Sequence, residues 1–187
     1  MISKALLLVD FQNEWVSEFS AYYVGDIKEV IHKVKSLIDY AKEEKMKVVF
    51  TQHIDHESNG AFAKDSHGIQ IIQALYKEDK HALVTKHSQN PFDNKNLEQE
   101  LEGVDEVMVV GILTNECFEN TVTESYDRGI DVTIVQDCCI AFDEESKKFT
   151  FDDIKHVSSD IEFVNMKEIV EDYQPLDREE DIDLGNF

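Results

Sequence analysis

Short, continuously apolar runs alternate along this chain with longer stretches in which apolar residues recur every three or four positions. Residues 5–9 (Ala-Leu-Leu-Leu-Val) are apolar throughout and predict a strand buried on both faces. Over 26–44, Ile27, Val30, Ile31, Val34, Leu37, Ile38 and Ala41 fall at spacings of three and four. That pattern lays one apolar stripe along an amphipathic helix, with Lys and Glu opposite. Residues 47–51 predict a second strand, 69–76 a looser helix, 82–85 a third strand and 96–101 a short acidic helix. The strand at 107–110 is the clearest of the set, and 115–128 predicts a helix closed by Gly129, a residue suited to the left-handed cap. Strands at 131–135 and 161–164 complete the series.

Strand and helix in alternation, with continuously apolar strands, predict an α/β fold. The expected architecture is a three-layer sandwich around a mainly parallel, Rossmann-like central sheet. The 187 residues suit one domain, and 42% hydrophobic content supplies a core without disulfides or metal. The exception is the C-terminus, where 171–187 carry seven acids and one Arg. The expected organisation is therefore a domain over 1–170 followed by an exposed acidic tail or arm over 171–187.

Charge and cysteine content narrow the function. The formal net charge is −22, from 18 Lys and Arg against 40 Asp and Glu. Nucleic acid and anionic membrane surfaces recruit an excess of Lys and Arg, so both are excluded as partners. No stretch approaches the roughly 18 apolar residues of a membrane span, and the apolar run at 5–9 is too short for a signal h-region. Cys117, Cys138 and Cys139 are odd in number and two are adjacent, which fits no disulfide framework. Neither Cys nor His recurs at zinc-site spacing. The expectation is a cytoplasmic protein with reduced thiols and no cofactor.

In an open parallel sheet, ligands bind beyond the carboxyl ends of the strands, near the point where strand order reverses. The first strand leads into Asp10, Phe11, Gln12 and Asn13, and the second into Gln52, His53, Asp55 and His56. Lys86 and His87 follow the third; the fourth leads through 111–116 to Cys117 at the start of a helix. Unpaired N–H groups and the helix dipole there favour a thiolate, the nucleophilic form. Lys86 would lower the thiol pKa further, and Asp10 could take the thiol proton and return it to a leaving amine. Taken singly, a Cys is more often a small core residue, an Asp after a strand a cap, and a Lys a solvated charge. Their coincidence at three strand ends of one sheet points to nucleophilic catalysis. Trp15, Phe19, Tyr22 and Tyr23 form an aromatic loop suited to a pocket roof or an oligomer contact.

These residues also carry a resemblance. The runs Ala-Leu-Leu-Leu-Val-Asp-Phe-Gln-Asn at 5–13 and Val-Phe-Thr-Gln-His at 49–53 are followed by Val-Thr-Lys at 84–86 and Asn-Pro-Phe at 90–92. Val-Val-Gly-Ile-Leu-Thr-Asn-Glu-Cys at 109–117, Arg-Gly at 128–129 and Val-Gln-Asp-Cys at 135–138 continue in order. The chain thus resembles the isochorismatase-like cysteine hydrolase superfamily, which includes nicotinamidases and N-carbamoylsarcosine amidases. The likeness extends from about residue 5 to 164.

The resemblance implies Asp10 as general acid/base, Lys86 as charge stabiliser and Cys117 as nucleophile. It also implies a non-proline cis peptide at Ile112-Leu113, with the backbone N–H groups of Leu113 and Cys117 forming an oxyanion hole. Gln12, Trp15 and His53 are the residues expected around the substrate. The implied reaction is acyl transfer from a small amide, carbamoyl or related C–N substrate through a thioester. The alternatives are vinyl-ether hydrolysis of the isochorismate type with Asp10 as acid, and a catalytically silent binding protein. Members are commonly dimers or tetramers, so a homo-oligomer is expected. The Asp-x-His element that binds metal in nicotinamidases is replaced here by Gln52-His53-Ile54-Asp55-His56, and no metal is expected.

Overall fold

The computed structural model describes residues 2–75, 78–93, 95–175 and 182–184, without the side chain of Glu116. Six strands, β1 (Lys4–Val9), β2 (Lys47–His53), β3 (Ala82–Lys86), β4 (Glu106–Gly111), β5 (Asp131–Val135) and β6 (Glu162–Val164), form one sheet. Its spatial order is β3-β2-β1-β4-β5-β6 and every pairing is parallel. Strand order reverses at β1: the chain builds outward through β2 and β3, then crosses to β4 on the other side. In β1, Ala5 through Val9 are all buried, odd and even positions alike, because helices cover both faces of the sheet.

The sheet is wrapped by α1 (Lys28–Glu43), α2 (Lys95–Glu100), α3 (Glu119–Asp127), α4 (Glu144–Val157) and α5 (Met166–Ile169). The apolar stripe of α1 buries Ile31, Val34, Leu37, Ile38 and Ala41 against β1 and β2. Each of the four Ile, Val and Leu side chains gains about 1.5–3 kcal/mol from burial. The α3 helix packs on β5 and ends at Gly129, whose φ of +78° is the left-handed turn anticipated there. Gly111 answers a different need. A Cβ on it would stand 2.6 Å from the Val9 side chain, so β1 and β4 can pair to their last residues only because it is glycine.

Two regions differ from the sequence expectation. Residues 69–75 bury Ile69, Ile71, Ile72 and Leu75 but form turns rather than a helix. Their backbone is engaged instead by the segment after β1, with Ile72 N–H donating to Phe11 O at 3.0 Å and Ile71 bridging Gln12. Tyr76, the end of the expected helix, lies outside the described residues. The sequence reading placed nothing over 144–157, where α4 forms. Asp143 caps that helix by accepting from Ser146 N–H at 2.7 Å, acids occupy its first turn, and Lys155 and His156 its last. The acidic C-terminal segment is exposed at Glu171, Asp172, Gln174, Pro175 and Asp183 and is anchored between them. Tyr173 is buried and its hydroxyl donates to Glu29 Oε1 at 2.9 Å, His32 meets Gln174 O at 3.0 Å, and Ile182 is buried. Apolar residues between the acids supply this anchorage; residues 176–181 and 185–187 lie outside the described set. Among the described residues, no helix is long and apolar enough to cross a membrane.

Candidate active site

Asp10 follows β1 at the reversal point of the sheet and takes φ +56°, a left-handed value that Asp tolerates better than bulkier residues. Two bonds with Thr51 on β2 hold it: Asp10 N–H donates to Thr51 Oγ1 at 3.1 Å, and the Thr51 hydroxyl donates to Asp10 Oδ1 at 2.6 Å. Lys86 is the last residue of β3. Its ammonium lies 2.8 Å from Asp10 Oδ2 and donates to Cys117 Sγ at 2.9 Å and to Ser88 O at 3.3 Å. All three side chains are buried, Asp10 and Lys86 to 1% exposure and Cys117 to 7%. A charge so deep is tolerable only when paired and hydrogen-bonded, and each of these is.

Cys117 lies in a single π-helical turn, Thr114–Phe118, that precedes α3, so the helix expected over 115–128 is π-wound where the thiol sits. Such turns recur at functional sites because they re-aim side chains. The Cys117 carbonyl accepts from Thr121 Oγ1 at 2.6 Å, which fixes this turn to α3. The connection from β4 holds a cis peptide at Ile112-Leu113, at the position the resemblance implies. It is pinned on both sides, by Ile112 N–H to Val9 O at 3.0 Å and Thr114 N–H to Ile140 O at 3.1 Å.

The electrostatics differ from the expectation of a thiolate. Burial, then the Asp10 carboxylate, push the Cys117 thiol up to about 12 against the opposing pull of Lys86. Lys86 favours the thiolate, but the loss of water and the neighbouring anion outweigh it. Burial also works against the Lys86 ammonium, yet Asp10 and Cys117 outweigh it and raise Lys86 above the ordinary lysine value. Both shifts favour the protonated forms, the ammonium on Lys86 and the thiol on Cys117.

The residues expected around the substrate divide. Gln12 is fully buried and its amide is committed to backbone: Nε2 donates to His53 O at 2.8 Å and Ile69 O at 2.9 Å, while Oε1 accepts from His53 N–H at 2.8 Å. It braces the rim of the sheet. The half-buried His53 ring packs edge-on to Phe62 at 5.4 Å, and its buried Nδ1 has no hydrogen-bond partner among the described residues. Burial, then Lys86, hold that ring below the ordinary histidine value, so it is neutral at physiological pH. Trp15 is buried, with an unpartnered Nε1, among Phe62 at 5.0 Å, Tyr22 at 5.8 Å and Phe142 at 6.4 Å. An aromatic wall thus runs from His53, beside Lys86, outward to the exposed ring of Phe142.

Sequence reasoning missed two parts of this wall and cluster. Thr51 gave a signal, a buried hydroxyl position at the end of an otherwise apolar strand; Phe62 and Phe142 gave none. The residues that replace the nicotinamidase metal element do not converge. Asp55 Oδ1 accepts from Glu57 N–H at 2.9 Å and Ser58 N–H at 3.2 Å, His56 faces His87, and His67 contacts Asn13. Among the described residues, no three His, Cys, Asp or Glu side chains are grouped to hold a metal. That donor set does not fit the metal of the nicotinamidase branch, and no step is derived through one.

A parallel sheet with reversed order at β1, and polar side chains gathered beyond its carboxyl ends, is a doubly wound α/β fold with its candidate site at the reversal point. The Isochorismatase domain family matches residues 4–162, and the chain belongs to that family of hydrolases. It is 30% identical over 162 residues to Nicotinamidase 3 of Arabidopsis thaliana, covering 78% of this chain and 77% of that protein. An isochorismatase-like hydrolase from Alkaliphilus metalliredigens has the same fold, with a TM-score of 0.80 at 20% identity over 91% of this chain and 96% of that one. A nicotinamidase/pyrazinamidase from Bacillus subtilis superimposes with a TM-score of 0.78 at 19% identity, over 88% of this chain and 100% of that one.

Proposed function

We propose that the chain is a cysteine-dependent amidohydrolase that cleaves a small amide, carbamoyl or related C–N substrate through a thioester on Cys117. One observation carries this reading: a single buried ammonium, that of Lys86, touches both the Asp10 carboxylate and the Cys117 sulfur. The resting thiol holds its proton beside an anionic base, so proton transfer and attack are coupled. Asp10 takes the proton from Sγ as sulfur bonds to the substrate carbonyl carbon, and the carbonyl oxygen becomes an oxyanion. The N–H groups of Leu113 and Cys117 bind that oxyanion, and Lys86 stabilises the sulfur anion as it forms. Asp10 then protonates the leaving nitrogen, the C–N bond breaks, and the thioester remains. A water attacks the thioester while Asp10 accepts its proton. Collapse expels the sulfur, Asp10 returns the proton to it, and the carboxylic acid leaves.

The 30%-identical Nicotinamidase 3 supports the amidase branch. Nicotinamide itself is not favoured, because His53, Asp55 and His56 do not form a metal-binding group. The hydrolase domain is assigned to 1–170, with 171–187 as an appended acidic segment.

The test is a panel of small amides, carbamoyl compounds and isochorismate assayed against wild type, Cys117→Ala, Cys117→Ser and Asp10→Asn. Loss of at least about 10³-fold in kcat for each variant is expected, as for removal of a nucleophile or its base. The wild-type reaction quenched in acid should show the acyl mass on the peptide containing Cys117. Full activity in Cys117→Ala together with a dead Asp10→Asn would establish the ether-hydrolysing alternative instead.

A further inference from the structure

Beside the triad, on the outer surface of the same rim, two imidazoles face each other. His56 lies in the loop after β2 and His87 directly follows β3. The β2–β3 register pairs His53 with Lys86, so the two loops leave the sheet side by side. They are tied once more where Ile54 N–H donates to Lys86 O at 2.9 Å. The Nε2 atoms of His56 and His87 stand 3.2 Å apart, and the ring centroids 4.1 Å. His87 Nδ1 lies 3.1 Å from the Ile54 carbonyl. A carbonyl oxygen only accepts, so Nδ1 carries a proton, and Nε2 is the nitrogen that faces His56.

We infer that His56 and His87 form a two-imidazole site for a divalent transition ion of the Cu²⁺, Ni²⁺ and Zn²⁺ class, with water completing the shell. Two imidazole nitrogens bound at about 2.0–2.1 Å stand about 3.3 Å apart in a tetrahedral shell and about 2.9 Å apart at a right angle. The observed 3.2 Å falls within that span before any ion is added. A backbone carbonyl that holds the remote ring nitrogen is the outer-shell contact that orients a metal-binding histidine. Both rings are exposed, so an ion reaches them without rearrangement of the fold. Imidazole ligation selects borderline ions and rejects Mg²⁺ and Ca²⁺, which require oxygen donors. Both residues stand outside the proposed triad, and the inference does not depend on that reading.

The competing state is a pair that shares one proton as N–H···N and binds nothing. Calorimetric titration with Zn²⁺, Ni²⁺ and Mg²⁺ on wild type, His56→Ala, His87→Ala and the exposed control His156→Ala separates the two. Wild type and His156→Ala should bind one Zn²⁺ or Ni²⁺ and no Mg²⁺, and each pair variant should bind at least about tenfold more weakly. Pulsed electron paramagnetic resonance of bound Cu²⁺ should show modulation from two imidazoles, reduced to one in either pair variant. Equal affinity in wild type and His56→Ala, or a Cu²⁺ spectrum without the second imidazole, would overturn the site. All variants are at exposed positions, and circular dichroism confirms that each is folded before titration.

Discussion

Thr51 and Asp10 exchange two hydrogen bonds across neighbouring strands, the hydroxyl donating to Oδ1 at 2.6 Å and accepting from the Asp10 backbone at 3.1 Å. The exchange occupies one carboxylate oxygen and leaves Oδ2 facing Lys86, so the carboxylate has a fixed direction before any substrate arrives. In a buried site, a carboxylate free to rotate would lose the alignment that proton transfer requires.

Replacing Thr51 by Val removes both bonds at nearly constant volume. It leaves the Asp10 N–H and Oδ1 without that partner, and each unsatisfied buried group costs about 1–3 kcal/mol of stability. Because Thr51 positions rather than reacts, kcat should fall at least about tenfold with little change in KM. Thr51→Ser, which keeps the hydroxyl, should recover most of the loss. Equal kcat in the Val and Ser variants would assign Thr51 to packing alone.

The raised thiol pKa of Cys117 sets its reactivity toward small alkylating agents. Labelling of the free enzyme should be slow at pH 7 and should climb as pH rises toward about 12, where the thiolate forms. Asp10→Asn removes an anion and should speed labelling at fixed pH, whereas Lys86→Met removes the cation and should slow it further. The same shift has a stability consequence. Cys117 and Cys139 are held up to about 12, above the ordinary 9.0, so over this interval the folded chain binds more protons than the unfolded one. Their contribution to stability is intact below about 9 and is lost as pH rises from there toward about 12. Denaturant unfolding at pH 8 and pH 10.5 should therefore give a lower midpoint at the higher pH, and a smaller difference in Cys139→Ala.

Tyr173 anchors the acidic segment by burying its ring and bonding Glu29. Tyr173→Ala should cost on the order of 3 kcal/mol, as for other buried aromatic truncations. Limited proteolysis should then cut C-terminal to residue 170 much faster than in wild type. Tyr173→Phe retains the packing and should stay close to wild type, which separates ring burial from the single hydrogen bond. An unchanged cleavage rate in the alanine variant would mean that Ile182 and its neighbours suffice to hold the segment.

The sheet was legible because its strands are apolar at every position and α1 carries a complete stripe; periodicity reports burial, and here burial follows the backbone period. It was misleading at 69–75, where apolar spacing marks residues that are indeed buried, but as turns bonded to Phe11 and Gln12 rather than as a helix. The α4 helix was overlooked although its cap and end charges are local signals, because Thr150, Phe151 and Ile154 make a short apolar face between charged residues. At the site, Asp10, Lys86 and Cys117 could be named from the strand ends. Their protonation could not, since the Cys117 pKa depends on burial and on a carboxylate distant in sequence. The commitment of Gln12 to backbone and the aromatic wall around Trp15 likewise depend on segments that meet only in the folded chain.

The register of the sheet also governs how this enzyme can vary. Val9 pairs with Gly111 and His53 with Lys86, so Asp10, Lys86 and the turn bearing Cys117 hold their mutual positions through interstrand pairing. One inserted residue in β1, β3 or β4 would slip that pairing and turn Asp10, Lys86 or Cys117 toward the opposite face. The connections over 16–26 and 57–68 lie outside the sheet pairing, although Ala63 bridges Asp55 and Gly68 O accepts from Glu14 N–H at 2.8 Å, and they contribute Tyr22 and Phe62 to the wall beside His53. Substitutions there can reshape the wall beside His53 while Asp10, Lys86 and Cys117 stay in place. The sheet thus fixes the polar cluster, and the two connections are where the surface beside it can change.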